Sequence, residues 1–555
     1  MTRYPVYLEI ASDGLTMAHV LDLPGCAVRA PTLDEALRRL PEAIRDYCTW
    51  LRRHGEPIPS EQAPIEVEVA GESTGFGPFN PGDAAALFPP DRELITPEEM
   101  EYLFRLMAYA RANLLAMVRD LPDDVLDWQP DSQSFSIRRL LRHIGNAEEW
   151  YVSRLVPPET LPPEWERDED LPILDFLEME RRTAVARLRQ LTQEERSGVF
   201  YPTHWTDHPE EPWTARKALR RFLEHEREHT AQVRESLTIH RRHLLARLAA
   251  ERGGLLEQLI CLDERTLTEV PAVGDWTVKD VLAHIAAWDR WVLREMKRML
   301  SGEAPDITTA QNEDAFNAAN VPAWRNRALE EVLVELQEAR ATWMAWLETL
   351  PEEEFFRRRP FQGDNWAFPG WLKVYWQHDA EHAAQIATWR ETQGLKGKSG
   401  PKAVLLVALQ AGREELLAAA ALVPAGERAS RPICGEWTLK DVLGHVADWE
   451  LLDVEGLRQM ADGHAPQVEL VGDREAWNQA HVKARRDQPW EAVWADFQAA
   501  HQALVEVLQG MSQDDLGRPF PGVWEPETTP YAWALVILRH HRGHAKNLRN
   551  IGGVP

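Results

Sequence analysis

The chain has 555 residues, a formal net charge of −27 at pH 7 and an apolar fraction of 44%. Its length predicts several domains rather than one hydrophobic core. The negative charge argues against general binding to nucleic acids or anionic membranes, because both depend on clustered Lys and Arg. No apolar run is long enough to span a membrane and the N-terminus lacks a signal-peptide core, so we expect a cytoplasmic protein.

The four cysteines, Cys26, Cys48, Cys261 and Cys434, are scattered and form no CxxC pair. This spacing fits a reducing compartment and argues against zinc sites built from thiolates. Tryptophan is unusually frequent, with 23 residues, and many of them lie beside the histidines described below.

Residues 1–70 predict a small α+β domain. Apolar and polar residues alternate in YPVYLEIA and LTMAHVLDLPG, as they do in half-buried strands. The segment TLDEALRRLPEAIRDYCTWLRRHG predicts a helix with Thr32 and Glu35 as a capping box. Pro41 is expected to kink or split this helix. APIEVEVA then returns to a strand, which gives the order β-β-β-α-β.

This domain resembles the HicB-like antitoxin fold in four short segments: YPVYLEI, LPGC at Leu23–Cys26, TLDEA at Thr32–Ala36 and GEPIP at Gly55–Pro59. The resemblance implies a module that pairs with a small toxin. No helix-turn-helix or ribbon-helix-helix segment follows, and the chain contains no toxin-like segment. Packing, oligomerisation or ligand sensing is therefore the alternative role. Residues 71–95, rich in Gly and Pro, are expected to form a linker.

From Thr96 onward the pattern is almost wholly helical and repeats itself. WTVKDVLAHIAAWDRW at Trp276–Trp291 matches WTLKDVLGHVADWELL at Trp437–Leu452, and FSIRRLLRHIGNAEEW at Phe135–Trp150 is a more distant copy. Each copy fits four helices. The sequence therefore predicts a mainly α protein in which the α+β domain precedes three tandem up-down four-helix bundles, at residues 96–236, 237–393 and 394–555.

Each predicted bundle contains three histidines at matched positions. Two lie four residues apart on the fourth helix, and hence on one helical face, and one lies on the inward stripe of the second helix. The triads are His143, His225 and His229; His284, His378 and His382; and His445, His540 and His544. A single histidine of this kind is usually an ordinary core residue. Three matched triads indicate metal sites, and three imidazoles with a vacant fourth position are typical of catalytic ones.

This arrangement resembles the DinB-like superfamily over the chain from Thr96 to its end. The motifs WTVKDVLAHIAAWDRW and EDAFNAANV, with their partners in the third bundle, resemble its DfsB-type branch. The resemblance implies that the nine histidines bind up to three divalent metal ions per chain, with Zn or Ni favoured and Fe, Cu or Mn as alternatives. It also implies a metal-activated low-molecular-weight thiol or water, and bundles that pair within the chain or in a homodimer.

Glu228 and Glu381 immediately precede the second histidine of their pairs and are candidate general bases. A role as partner of a ligand, or as a solvated surface residue, is the alternative. The resulting HxxEH pattern also occurs in inverted zinc proteases, but those enzymes take a third ligand from a downstream carboxylate. Gly543 occupies this place in the third bundle, so the three bundles cannot all use such a base.

Four further side chains are candidates for binding a substrate. Trp288 and Trp449 follow the histidine of the second helix by four residues, and Asn317 and Asn478 lie in the connection between the second and third helices. Core packing and helix capping are the alternative roles of these residues.

The sequence is compatible with two hypotheses about function. In the first, the chain is a metal-dependent transferase or hydrolase that acts on a small electrophile or xenobiotic in a stress or detoxification response. In the second, it is a non-catalytic scaffold whose metals stabilise the bundles and whose HicB-like module binds a partner. Because ligand histidines must be neutral, we expect metal release below roughly pH 6.

Overall fold

The computed structural model describes residues 2–58, 64–76, 86–131, 134–167, 171–202, 204–361, 363–468 and 472–551. The chain divides into two compact units, Met1–Leu237 and Thr238–Pro555. In the described part of the chain, no helix combines the length and the apolar character that a membrane span requires.

The first unit begins with the predicted α+β domain. Its elements are β1 (Thr2–Ala11), β2 (Thr16–His19), β3 (Ala27–Ala30), α1 (Leu33–Arg53) and β4 (Ile65–Phe76). The sheet order is β3-β2-β1-β4, with β1 antiparallel to β2 and parallel to β4. A parallel pair needs a crossover connection, and α1 supplies it. The order β-β-β-α-β is confirmed.

Helix α1 runs without interruption through Pro41, so of the two expected effects, a kink or a split, the split does not occur. The side chains of Leu40, Ile44 and Tyr47 are buried at helical spacing, and α1 packs on the sheet. Burying each such side chain contributes about 1.5–3 kcal/mol. Together they offset the roughly 3 kcal/mol that an interior proline costs.

The remainder of the first unit is helical. Its helices are α2 (Pro97–Val118), α3 (Asp123–Leu126), α4 (Ile137–Ser153), α5 (Ile173–Arg189), α6 (Gln193–Ser197) and α7 (Ala215–Glu257), with short 3-10 turns at Pro89–Arg92, Pro158–Thr160 and Pro163–Arg167. Thr96 and Glu99 cap α2 in a reciprocal capping box. Helix α7 continues past Leu237, where the first unit ends.

The sheet of the first unit packs on α7. Nδ1 of His19 lies 2.9 Å from Oε1 of Glu224, and Nε of Arg227 donates to the carbonyl of Gly25 at 3.2 Å. Gly25 has φ +92°, and a Cβ there would lie 3.1 Å from Cβ of Leu223. Only glycine combines this backbone conformation with so close an approach.

The segment expected to be a linker, residues 71–95, takes part in this packing. Strand β4 reaches Phe76, and residues 77–85 lie outside the described residues. Asp91 is buried and accepts hydrogen bonds from both Nε and Nη2 of Arg220 on α7. The end of the segment is therefore fixed to the first bundle.

The second unit contains the other two sets of helices. The first set comprises the C-terminal part of α7, α8 (Glu264–Glu269), α9 (Val278–Leu300), α10 (Ile307–Gln311), α11 (Glu313–Trp324), α12 (Leu329–Glu348), α13 (Glu352–Phe356) and α14 (Phe368–Gln393), with hairpins β5 (Pro271–Val273)–β6 (Trp276–Thr277) and β7 (Arg359–Phe361)–β8 (Asp364–Trp366). The second set comprises α15 (Lys402–Ala420), α16 (Leu439–Ala461), α17 (Arg474–Arg485), α18 (Trp490–Gly510), α19 (Gln513–Gly517) and α20 (Pro530–Ile551), with hairpins β9 (Pro432–Cys434)–β10 (Trp437–Thr438) and β11 (Phe520–Pro521)–β12 (Glu527–Thr528).

One hydrophobic cluster spans these two bundles. It includes Leu259, which follows the end of α7, Leu409 of α15 and Leu538 of α20. The hydroxyl of Tyr531 on α20 accepts a hydrogen bond from the backbone N–H of Cys261 at 3.2 Å. The second unit is thus a pair of packed bundles.

Candidate metal centres

The second bundle brings three imidazoles to one point. His284 lies on α9, and His378 and His382 lie one turn apart on α14. The Nε2 atoms of His284 and His378 are 2.8 Å apart, and those of His378 and His382 are 3.1 Å apart. Each ring can therefore present one nitrogen to a shared metal ion.

The local sequence fixes where α9 begins. The hydroxyl of Thr277 accepts a hydrogen bond from the backbone N–H of Asp280, and the Asp280 carboxylate accepts one from the N–H of Thr277, each at 3.1 Å. Val281, three residues before His284, is fully buried. Because residues three apart share a helical face, the same burial directs His284 inward.

In two of these rings, Nδ1 forms a hydrogen bond with the oxygen of a side-chain amide. Nδ1 of His284 lies 2.8 Å from Oδ1 of Asn317, and Nδ1 of His382 lies 2.9 Å from Oε1 of Gln385. An amide oxygen only accepts hydrogen bonds, so each Nδ1 carries the proton and each Nε2 presents its lone pair. Both lone pairs face Nε2 of His378. A divalent metal ion satisfies all three nitrogens at once, so the residues fit such an ion.

Burial keeps these imidazoles neutral. Removal from water lowers the pKa of His284 to about 4. Burial and the neighbouring imidazoles lower the pKa of His378 to about 3. The pKa of His382 is also lowered, mainly by burial. Neutral imidazole is the form that binds metal, so the triad is ready to bind across the physiological pH range.

The third bundle repeats this geometry. Nε2 of His540 lies 3.0 Å from Nε2 of His445 and 2.9 Å from Nε2 of His544. Burial is the largest cause that lowers the pKa of His445 to about 3, of His540 to about 2 and of His544 to about 4. The helix of His445 begins at the same kind of capping box, formed by Thr438 and Asp441.

The first bundle has the same three rings in a more open setting. Nε2 of His225 lies 3.1 Å from Nε2 of both His143 and His229. Nδ1 of His229 lies 2.7 Å from Oε1 of Gln232, which matches the contact of His382 with Gln385. His143 is exposed, whereas His225 and His229 are buried.

The two candidate general bases have different surroundings. Oε1 of Glu228 lies 3.6 Å from Nη1 of Arg29 on β3, an ion pair between the sheet and α7. Glu381 is exposed on α14. A guanidinium therefore holds the carboxylate of the first bundle, and the carboxylate of the second bundle faces solvent.

Tryptophan rings lie beside the triad of the second bundle. The ring centroids of Trp276 and Trp288 are 5.0 Å and 6.4 Å from that of His284. Nε1 of Trp288 donates a hydrogen bond to Oδ1 of Asn317 at 3.1 Å. Asn317 therefore connects the tryptophan to the histidine.

The third bundle has equivalent aromatic neighbours. The ring centroids of Trp437 and Trp449 lie 5.1 Å and 6.4 Å from that of His445. Nε1 of Trp449 donates to Oδ1 of Asn478 at 2.9 Å. The matched Trp and Asn residues predicted from the sequence are thus adjacent to the triads in both bundles.

Gln232 and Gln385 were not predicted as site residues from the sequence. Each follows the second histidine of its pair by three residues, a spacing that places two side chains on one helical face. The repetition of His-x-x-Gln in the first two bundles was the signal that could have identified them. Asn547 takes this position in the third bundle.

Comparison with known proteins gives two matches. Three regions of the chain, residues 106–233, 247–386 and 408–547, match the family model of the DinB superfamily, and each region contains one complete histidine triad. The "UPF0150 protein Ta0767" of Thermoplasma acidophilum is 39% identical over 61 residues, which cover 11% of this chain and 88% of that protein. No solved structure matches the chain.

These matches confirm the two resemblances read from the motifs, the HicB-like N-terminal domain and the three tandem bundles. The DfsB-type character of the second and third bundles stays a prediction.

Proposed function

The chain belongs to the DinB superfamily, and on this basis we propose that it is a cytoplasmic metal-dependent protein that acts on a small electrophile or xenobiotic. The three triads would hold up to three divalent ions, with Zn or Ni favoured over Fe, Cu or Mn. A bound ion of this kind lowers the pKa of a thiol or of water, which is the chemistry of a transferase or a hydrolase.

One observation carries the proposal, namely the direction of the lone pairs in the second bundle. Asn317 and Gln385 hold the protonated nitrogens of His284 and His382, so both Nε2 lone pairs face Nε2 of His378. This fixed orientation favours a metal ion over a set of hydrogen bonds among the rings. With three protein ligands, a tetrahedral ion keeps one position for a thiol or water.

The surroundings of the triads favour a thiol as the activated group. Glu228 is paired with Arg29, Glu381 is exposed, and Gly543 replaces them in the third bundle. A general base on the ligand helix therefore cannot serve all three centres, whereas a thiolate that binds the metal needs no such base. We propose Glu228 as a catalytic base in the first bundle alone, where release from Arg29 would free it.

The tryptophans of the second and third bundles would form the wall of an apolar substrate pocket. Trp288 and Trp449 each donate their indole N–H to an asparagine, Asn317 or Asn478. These asparagines would orient the indole rings, and in the second bundle also the ligand His284. The shared motifs support a DfsB-type activity for these two bundles.

Metal content tests the proposal first. Tag-free protein is stripped with a chelator, reconstituted with Zn²⁺ or Ni²⁺ and compared with His284→Ala, His382→Ala and His445→Ala by mass spectrometry of the metal. Each single variant should lose about one equivalent relative to wild type. Equal metal content in wild type and all three variants would disprove metal binding by the triads.

Adduct formation then separates catalysis from binding. The metal-loaded protein is incubated with chlorodinitrobenzene and a panel of low-molecular-weight thiols, and the thioether product is measured by absorbance. Metal-dependent product above the rate without protein, lowered in His378→Ala by the contribution of the second centre, supports the enzyme. Glu381→Gln is the matched control on the same helix and should keep the rate.

A non-catalytic scaffold is the second candidate, and the packing of the sheet on α7 favours it. His19 and Arg29 both bind carboxylates of α7 close to the first triad. In this alternative the metals stabilise the bundles, and the HicB-like domain presents a surface to a protein partner. A metal-loaded protein that is more stable but inactive with every thiol would support it.

A further inference from the structure

A second polar cluster lies beside each triad and is formed by residues at matched positions. Its members are the residue five positions after the histidine of the second helix, the residue directly after the first histidine of the fourth helix, and one residue each from the first and third helices. The four members are Glu148, Glu226, Arg111 and Arg181 in the first bundle; Asp289, Asp379, Arg252 and Arg340 in the second; and Glu450, His541, Arg413 and His501 in the third.

In the second bundle this cluster is a closed ion-pair network. Arg340 donates to Asp289 at 2.9 Å and to Asp379 at 3.0 Å. Arg252 donates to Asp289 at 2.9 Å and to Asp379 at 3.1 Å. Two carboxylates and two guanidiniums therefore neutralise one another inside the bundle, as buried charges must.

The first bundle has the same network with glutamates. Arg181 donates to Glu148 at 2.8 Å and to Glu226 at 2.7 Å, and Arg111 also binds both carboxylates. In the first and second bundles, this cluster thus consists of two carboxylates and two guanidiniums that are paired with one another.

The third bundle replaces one carboxylate and one arginine by histidines. His541 takes the place of the second carboxylate and His501 the place of the third-helix arginine. Nδ1 of His501 lies 3.1 Å and Nε2 of His541 lies 2.8 Å from Oε1 of Glu450. Glu450 and His541 are almost fully buried, at 1% and 0% exposure.

The remaining arginine does not close this network. Nη1 of Arg413 lies 3.7 Å from Oε2 of Glu450, and its Nη2 donates to the carbonyl of Phe497 at 2.8 Å and to Oε1 of Gln498 at 3.0 Å. Among the described residues, Oε2 of Glu450 and Nδ1 of His541 lack a hydrogen-bond partner, and the contact between Nε2 of His541 and Oε1 of Glu450 has ion-pair distance but not hydrogen-bond geometry. Buried polar atoms without partners are rare in folded proteins and call for an explanation.

We propose that Glu450, His501 and His541 form an additional binding site for a divalent first-row metal ion, next to the triad of the third bundle. The three ligand atoms lie within 4.8 Å of one another, and two imidazoles with one carboxylate are an established donor set for Zn²⁺ and Fe²⁺. The ion takes the role that the arginines have in the other bundles, because it supplies the positive charge between the helices.

A further carboxyl in the third bundle supports this site. Asp453 is buried on α16, three residues after Glu450 and therefore on the same helical face. Tyr151 and Val292 occupy the matched positions of the other two bundles, eight residues after the second-helix histidine. The third bundle thus has an additional acidic group at a position where the other two bundles have none.

The test uses a variant that restores the network of the second bundle. The double variant His501→Arg/His541→Asp gives the third bundle the same two side-chain types as Arg340 and Asp379. Tag-free full-length protein is stripped of metal, reconstituted with Zn²⁺ or Co²⁺ and analysed for metal per chain. The double variant should lose about one equivalent relative to wild type while its circular dichroism stays native. A double variant that is natively folded but binds as much metal per chain as wild type would overturn the proposal.

Two additional measurements separate this site from the triads and from misfolding. His544→Ala should lose the triad ion of the third bundle but retain the ion at Glu450, so combining it with His541→Gln should remove about one equivalent more. His541→Gln alone also serves if the double variant does not fold. Crystals of the reconstituted wild type should show an anomalous peak about 2.0–2.2 Å from the ligand atoms of Glu450, His501 and His541. Metal at the triads without a peak here would overturn the proposal, whereas a peak here without metal at the triads would contradict only the proposed function.

Discussion

Asn317 holds His284 in place, because its Oδ1 lies 2.8 Å from Nδ1 of the ring. In the third bundle, Asn478 stands at the position of Asn317 and interacts with the matched His445, but Nδ1 of that ring lacks a partner with hydrogen-bond geometry among the described residues. Partners of this kind fix the orientation of a metal-binding ring, and their loss typically lowers metal affinity 10- to 100-fold. We therefore expect Asn317→Ala to weaken Zn²⁺ binding by about this factor.

The matched substitution provides the control. Asn478→Ala should change Zn²⁺ affinity less, because its interaction with the ligand His445 lacks the hydrogen-bond geometry that Asn317 has with His284. Competition with a chromophoric chelator measures both affinities, best in a background in which His229→Ala removes the first centre. Equal losses for the two variants would show that the asparagines act through the tryptophans rather than through the ligands.

The pH of metal release should be lower than the sequence alone suggests. Burial and neighbouring imidazoles lower the pKa of His378 to about 3, and burial lowers that of His284 to about 4, from an ordinary value of 6.5. Protons therefore compete poorly for these nitrogens near pH 6. We expect Zn²⁺ to remain bound until about pH 5, instead of leaving below pH 6.

The lowered pKa values of these histidines also predict how the stability of the metal-free protein changes at acidic pH. Between about pH 6.5 and pH 4 the unfolded chain binds protons on histidines that stay neutral when folded, so stability falls as the pH falls through this range. Thermal unfolding of stripped protein at a series of pH values, together with chelator-detected Zn²⁺ release from loaded protein, checks both statements. Release with a midpoint at pH 6 or above would contradict the buried character of the triads.

How far the sequence predicts this protein depends on the range of each interaction. The triads were predictable because a helix places residues four apart on one face, and because the repeat supplies the third histidine at a matched position. The contact of His284 with Asn317 spans 33 residues and depends on how α11 packs on α9. The sequence alone offered only the presence of Asn317 in that connection.

Long-range packing produces the remaining features of the sites that the sequence does not predict. The ion pair of Glu228 with Arg29 forms because the sheet packs on α7, and no local sequence pattern predicts that contact. His541 and His501 were not predicted as a site, although both residues break the repeat in the sequence. Their significance emerges only when the helices bring both rings to Glu450.

Loss of Asp379 should destabilise the second unit strongly. This carboxylate accepts hydrogen bonds from Arg252 and Arg340 and is fully buried. Asp379→Ala leaves two buried guanidiniums short of a partner, and breaking a buried pair in this way costs about 3–5 kcal/mol. Urea unfolding followed by tryptophan fluorescence measures the loss of unfolding free energy.

The neighbouring Glu381 is the control for Asp379. It lies two residues further along α14 and is exposed, so Glu381→Ala should change stability by less than about 0.5 kcal/mol. Both variants are measured without metal, because Asp379 directly follows His378. If both substitutions lower the free energy of unfolding by a similarly small amount, Arg252 and Arg340 must find other partners in Asp379→Ala.

The contact between the sheet and α7 should depend on the protonation of His19. This ring is fully buried, with Oε1 of Glu224 at 2.9 Å from Nδ1 and Oε2 of Glu9 at 3.8 Å from Nε2. Burial and the charge of Arg220 oppose protonation, but the two glutamates outweigh them, so the pKa of His19 is raised above 6.5. A raised folded-state pKa means that the stabilisation is complete below pH 6.5 and is lost as the pH rises through the folded value.

Hydrogen exchange of peptides from β2 and the N-terminal part of α7 can follow this loss. Wild type should become less protected, beyond the intrinsic rise in exchange rate, as the pH increases above 6.5, whereas His19→Gln should show weaker protection with little pH dependence. His208→Gln, in the same unit but largely exposed at 72% of its side chain, should behave like wild type. If His19→Gln keeps the pH dependence of wild type, another group controls the packing of the sheet on α7, and the charge of His19 does not contribute to it.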